Sequence, residues 1–244
     1  MDRLIYTAAS AARALMLRQD GLTQNLANAN TPGFRADQVA FRAVPVRGDG
    51  VSTRVVALEA SAGFADQSGP LQTTGRNLDI AVKGMGYIAV QTPDGSEAYT
   101  RNGSLEVSAE GVLVAHGGAP VAGEGGPLNI PAGAAVSIAG DGTVSAQPQT
   151  GPAQTVGRIK LVNPPTAELR KGADGLLRMA SGEDAAADAE VQISAGSIEG
   201  SNVNVVEAMV NMIAAARQFE TQMKLLQNAE QNDQRAAQLL APPR

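Results

Sequence analysis

The chain has 244 residues, 43% hydrophobic and 18% charged, with a formal charge of −5. It lacks cysteine, which excludes a disulfide framework and thiolate chemistry, and it shows no basic patch, which speaks against a nucleic-acid partner. Tryptophan is absent and aromatics are only 3%, so a modest core is favoured over one large one.

In chain order, Leu4, Ala8, Ala11, Leu15, Leu22, Leu26 and Ala29 recur at alternating spacings of four and three, with Gln19 in one slot. That period predicts a helix with a narrow coiled-coil seam. Gly21 weakens it by about 1 kcal/mol relative to alanine, so the helix needs a partner. The same segment is amphipathic and has no continuous apolar run. It does not read as a secretory signal peptide, and no stretch of the chain reads as membrane-spanning. Asn25, Asn28, Asn30, Thr31, Pro32 and Gly33 then predict a helix end near Asn30. Pro32 has no amide to donate and turns Thr31 away from helical angles, and Gly33 accepts positive φ. Phe34, Val39 and Phe41 follow as apolar anchors. Residues 37–77 lack a strong period and predict an extended arm or hairpin, with β-like runs at 44–46 and 53–58.

From Leu78 the period becomes two. Short strands are predicted around Leu78 to Val82, Tyr87 to Val90, Ala98 to Thr100 and Leu105 to Val107, then near 112–114, 136–138, 144, 158–162, 175–179 and 191–193. Asn102-Gly103, Glu110-Gly111, Gly117-Gly118 and Asp141-Gly142 punctuate them. Regular turn spacing argues for an antiparallel β-domain, a barrel or sandwich, with 180–189 as an acidic surface loop. Past Gly200 the helical period returns. Asn204 and Glu207 have N-cap and N3 chemistry. The predicted seam is Val205, Met209, Met212, Ala216, Phe219, Met223 and Leu226, weakening through Glu230 and Asp233 before Pro242-Pro243. The fold class is therefore α+β, with two heptad helices enclosing an inserted antiparallel β-domain.

No catalytic, cofactor-binding or metal site is expected. Gly84-Met85-Gly86 lacks the third glycine and the following helix of a phosphate loop, so it reads as a tight turn. His116 is the only histidine and sits beside Gly117-Gly118 without an orienting carboxylate. Glu183-Asp184 lie in a solvated loop, a poor place for a raised pKa. The methionines of the last helix could form an adaptable binding face, but their spacing makes them packing residues first.

Four blocks of sequence then resemble the flagellar axial proteins, the rod, hook and hook-associated family. They are NLANANTPGFRADQVAFRAVPV at 25–46, GRNLDIAVKGMGYIAVQTPDGSEAYTRNGSLEV at 75–107, VGRIKLVNPP with KGADGLLR at 156–178, and GSIEGSNVNVVEAMVNMIAAARQFETQMKLLQ at 196–227. The MDRLIYTA opening and the TPGFRA and KLVNP runs favour a proximal-rod member, with a distal-rod or hook-family subunit as the alternative. The resemblance implies a structural subunit of the basal-body rod, in the periplasmic space, exported by the flagellar apparatus without a cleaved signal peptide. It implies a plan of rod-core helix at 1–36, arm at 37–77, outer β-domain at 78–198 and rod-core helix at 199–244. Its partners would be other rod subunits and copies of itself in a helical array. The expected assembly residues are Leu4, Leu15, Leu22 and Leu26 on the first helix and Asn25, Asn28, Pro32, Gly33 and Phe34 at its end. On the last helix they are Val205, Met209, Met212, Phe219, Met223 and Leu226. Outside the family, an enzyme would need a convergent acid, base or nucleophile, and a free-standing coiled-coil binding module would need only the seams.

Overall fold

A computed structural model describes residues 2–45 and 55–240, and their side chains except at 2–5, 57–62, 233 and 236–240. The architecture is α+β. Helix α1 spans Asp2–Ala27, helix α2 spans Val205–Leu240, and the strands between them pair antiparallel throughout. The chain forms two compact units. The first holds α1, the strands β1 (Asp37–Pro45) and β2 (Val55–Phe64), and α2. The second holds Asn28–Ala36 and Ala65–Val203. Residues 37–77, expected as one arm, are thus divided between the units. Val46, Thr53 and Pro242-Pro243 lie outside the described residues.

In the first unit, α1 packs on α2 and on the β1–β2 pair. Gly21 stays helical, and its place in the sequence has a packing reason. A Cβ there would stand 3.0 Å from the Val39 Cγ2 of β1, closer than side chains normally approach. Asn25 is buried, and both ends of its side-chain amide are hydrogen-bonded. Its Nδ2 donates to the Asp37 carbonyl at 3.0 Å and its Oδ1 accepts from the Asp37 amide at 2.7 Å, which fixes where β1 begins. A bulge at Ala40/Phe41 follows in the β1–β2 register. At the start of α2, Asn204 Oδ1 accepts the Glu207 amide at 3.2 Å, the cap its sequence predicts.

The second unit is built around Ile80, Ile88, Val90, Leu105, Leu113, Val121, Val144 and Ile159, all inaccessible to solvent. Its largest sheet orders five strands as Leu161–Val162, Tyr87–Gln91, Glu97–Thr100, Leu177–Met179 and Leu169–Lys171. Ala135–Ile138, Thr143–Gln147 and Gln154–Arg158 form a three-stranded sheet, and buried side chains alternate along the first two strands. Leu71–Thr73 pairs with Ser197–Glu199. That pair escaped the sequence reading because Leu71, Gln72 and Thr73 are all exposed and carry no period-two signal. The acidic loop at 180–189 is tied down more than its composition suggests. Ala185 is buried and its amide donates to the Tyr99 hydroxyl oxygen at 2.7 Å. Burial pushes the Tyr99 pKa up to about 12.

Candidate assembly interface

The helices were expected to meet along large apolar residues; several of these are half-buried, and the most buried apolar positions are alanines. Ala8 and Ala12 are the buried apolar positions of α1, while Leu15, Leu22 and Leu26 are half-buried. The Leu4 side chain lies outside the described residues. On α2 the buried or half-buried face runs Ala208, Met212, Ala215, Phe219, Gln222, Leu226 and Ala229, an unbroken four-three spacing. Met212, Phe219 and Leu226 were expected there, and half-buried Val205 borders it. Met209 and Met223 are not on it. They are 48% and 39% exposed, and the alternate seam position is held one residue earlier by Ala208, Ala215 and Ala229. The physical reason is size: alanine lets two helix backbones approach closely, whereas methionine at the same depth would hold them apart. The seam reaches Ala229, and Glu230 beyond it is exposed; the Asp233 side chain lies outside the described residues.

The opposite side of α2 is not polar. Val206, Met209, Val210 and Ile213 follow at i, i+3, i+4 and i+7, so they share one face over the first turns. Each is between 48% and 71% exposed.

The turn after α1 belongs to the second unit. Asn28 accepts from the Thr31 amide and hydroxyl, each at 3.1 Å, and Pro32 leads into Gly33. Gly33 takes φ of 69°, and its amide donates to the Glu199 carbonyl at 2.8 Å. A Cβ on Gly33 would fall 2.2 Å from the Asn102 nitrogen, so only glycine fits. Phe34 is buried beneath the Lys171 ammonium, which sits 3.8 Å from the ring centroid and also donates to the Arg35 carbonyl at 2.8 Å.

Beside it lies a buried ion triad that no expectation named. Arg35 Nη1 donates to Glu199 Oε1 at 2.7 Å, and Arg101 Nη1 donates to Glu199 Oε2 at 3.0 Å; all three side chains are 1–2% exposed. Burial lowers the Arg101 pKa, with Glu199 opposing. Arg101 also lies over the Tyr87 ring, 5.3 Å from its centroid, and donates to the Gly84 carbonyl at 2.6 Å. The Gly84-Met85-Gly86 turn thus offers an acceptor to a cation, the reverse of a phosphate cradle. Asn202 is a second hub: Oδ1 accepts the Ala36 amide at 2.7 Å, and Nδ2 donates to the carbonyls of Ala65 and Gln67 at 3.0 and 2.8 Å. Arg35, Arg101, Glu199 and Asn202 all stand inside the four sequence blocks quoted above. No local pattern in the sequence marks them as a cluster.

His116, Glu183 and Asp184 are exposed. Among the described residues no group of three acidic or histidine side chains could hold a metal ion, and no helix is long and apolar enough to cross a membrane.

Sequence models of three flagellar families match successive parts of the chain. The "Flagella basal body rod protein" model matches residues 5–35, the "Flagellar hook protein FlgE/F/G D1 domain" model 81–146, and the "Flagellar basal body rod FlgEFG protein C-terminal" model 194–239. The chain is 46% identical over 250 aligned residues to the flagellar basal-body rod protein FlgF of Escherichia coli (strain K12), covering 99% of each. It is 45% identical to FlgF of Salmonella typhimurium, again over 99% of both chains. Similarity extends to FlgG of Bacillus subtilis, at 31% identity over 95% of this chain and 96% of that one.

Proposed function

The chain belongs to the FlgF family of flagellar basal-body rod proteins, and from that premise we propose that it is a subunit of the proximal rod that polymerises through α1 and α2. The family is structural, not enzymatic. The two helices pair as a coiled coil along the alanine-lined seam and present their remaining apolar residues to other rod subunits and to copies of the same chain. Contacts between unlike faces do not close on themselves, so they propagate a helical array. In that array the helices form the wall of the export channel and carry torque. The subunit reaches the periplasmic rod through the flagellar export apparatus, without signal-peptide cleavage.

One observation carries this reading. A helix that packs one face within its own chain is ordinarily polar on the other, and α2 instead exposes Val206, Met209, Val210 and Ile213 together. A contiguous apolar face of that kind marks a contact surface. The test is complementation of a strain lacking this gene with the paired change Val210→Asp and Ile213→Asp. Loss of swimming, with the protein absent from purified basal bodies yet folded in isolation, supports the proposal. Normal recovery in basal bodies removes α2 from the interface. Localisation of the tagged wild-type chain to the distal rod would favour an FlgG-like place, and no retention of other rod subunits in a pull-down would favour a free-standing coiled-coil module.

A further inference from the structure

The chain passes between its two units at four points, after Ala27, Ala36, Phe64 and Val203. Three of these crossings leave the second unit from segments that are bonded to one another: Gly33 to Ala36, Ala65 to Gly69, and Glu199 to Asn202. We propose that these segments form one cooperative latch, centred on Glu199 and Asn202, in which the three exits are held together or released together.

The connectivity is what makes the latch a single element. Glu199 Oε1 accepts from Arg35 of the first segment and from the Gly69 amide of the second, at 2.7 and 2.9 Å, while its carbonyl accepts the Gly33 amide. Asn202 bonds Ala36 of the first segment and Ala65 and Gln67 of the second. The first two segments also meet directly, with the Ala65 amide on the Ala36 carbonyl at 2.8 Å and Arg35 Nη1 on the Gln67 carbonyl at 2.6 Å. No segment can leave without orphaning polar groups on both of the others.

Charge and packing remove the partly open states. Two guanidinium groups face one carboxylate in a site closed to water, and withdrawing one partner from a buried pair leaves an uncompensated charge, which is strongly unfavourable. Arg35 Nε and Nη2 and Arg101 Nε are already buried without a hydrogen-bond partner, so the triad has no spare acceptor with which to tolerate a loss. The backbones touch as well. A Cβ on Gly69 would lie 2.1 Å from the Gly200 carbonyl oxygen, so the second and third segments are stacked at contact distance with no room to shear. A network of this kind opens as a unit, the behaviour of a foldon smaller than the domain.

The test is native-state hydrogen exchange on the full chain, reading the amides of Gly33, Ala36, Ala65 and Gly69. Asn202→Ala is the first variant because Asn202 is only half-buried and the fold should survive its loss. Asn202 touches Ala36 but neither Gly33 nor Gly69. A latch therefore predicts that all four amides accelerate by a common factor of about tenfold or more. The amides pairing Ala135–Ile138 with Thr143–Gln147 should keep their wild-type rates. Glu199→Gln, which alters the side chain bonded by Arg35, Arg101 and the Gly69 amide but touches neither the Gly33 nor the Ala36 amide, should accelerate the same four together and by a larger factor. Acceleration confined to Ala36 in Asn202→Ala would overturn the proposal, because the bonds would then be independent. Equal acceleration of the reference amides would overturn it too, because the network would then open only with the whole unit. The readout needs no other rod protein, so it stands apart from any failure of the assembly reading.

Discussion

The two units of this chain bury different things. In the second, Ile80, Ile88, Leu105, Leu113 and Ile159 are wholly inaccessible and even its buried charges are matched to partners inside it. In the first, the most buried apolar positions of the helices are Ala8, Ala12, Ala208, Ala215 and Ala229, while Met16, Val206, Val210, Ile213 and Leu225 stand more than 45% exposed. At about 25 cal/mol per Å² of apolar surface, a buried alanine contributes far less than a buried isoleucine. The second unit encloses large side chains completely, whereas the helices of the first bury only alanine among their described apolar side chains and cover the larger ones in part or not at all. That division is what a subunit needs if the first unit is completed only by neighbours.

The sharpest way to test the contrast is to damage the second unit where it has no slack. Gly33→Val places a β-branched side chain at φ of 69° and drives its Cβ against the Asn102 backbone. The expected loss is at least ~3 kcal/mol. It should appear as a lowered urea midpoint for the second unit in the isolated chain. From the sequence alone, such a change is expected to block assembly more than it harms the β-domain. The structure places Gly33 within the β-bearing unit, so the damage should be seen before any assembly is attempted. A midpoint equal to wild type would mean that the turn can shift away from Asn102.

Next comes the seam between the helices. Ala215→Leu inserts a branched side chain where α2 is almost fully buried. Overpacking of this kind costs about 1–3 kcal/mol, and the cost should fall on the first unit alone. Far-UV circular dichroism should show helix lost at a lower temperature, with the β-bearing unit melting as before. If both transitions moved together, the two units would not be independent in stability and the contrast would fail.

How much of this could be read from the chain follows from the range of each interaction. The strand runs, the glycine conformation at 33 and the Asn204 cap are set by residues a few positions apart, and the sequence displays them; α1 itself ends at Ala27, three residues before the expected Asn30. Met212, Phe219 and Leu226 stand on the seam where the sequence predicts them, whereas Ala208 and Gln222 hold the places next to the expected Met209 and Met223, whose greater hydrophobicity drew the prediction. The stricter signal was the seven-residue recurrence of Ala208, Ala215 and Ala229 with Gln222. The triad was illegible for a different reason. Arg35 and Glu199 are 164 residues apart and Arg101 and Glu199 are 98 apart. Each reads locally as an ordinary surface charge, and only the fold brings them together. Asn25 belongs between these cases: its place at the helix end suggested an outward role, and its amide is instead spent on Asp37.

Asn25 supplies the third test. Asn25→Ala leaves the Asp37 amide and carbonyl without these partners at a half-buried site, for an expected loss of about 1–3 kcal/mol. Faster exchange of the Asp37 amide should accompany it, with the β1–β2 register otherwise kept. An unchanged rate there would show that water replaces the side chain at no cost.

The smallest effect on the isolated chain should come from the exposed stripe, and this is where the comparison is most exposed to refutation. Ile213→Ser removes a large apolar side chain that is 56% exposed. Surface substitutions of that kind ordinarily change stability by less than about 0.5 kcal/mol. Serine and isoleucine have nearly equal helix propensity, so the melting of both units should stay close to wild type. The apolar face bounded by Val206, Met209 and Val210 would nevertheless be broken at its C-terminal end. If that face is completed by another subunit, the variant should be folded, exported and poorly retained in purified basal bodies, with motility reduced in proportion. Ala214→Ser is the matched control: it changes the neighbouring exposed position of the same helix without touching the stripe, and should incorporate normally. Two variants with the same melting curve and different recovery would tie the unused hydrophobicity of the first unit to assembly. Equal recovery would leave that hydrophobicity unexplained, and the reading of the first unit as an unfinished core would have to be given up.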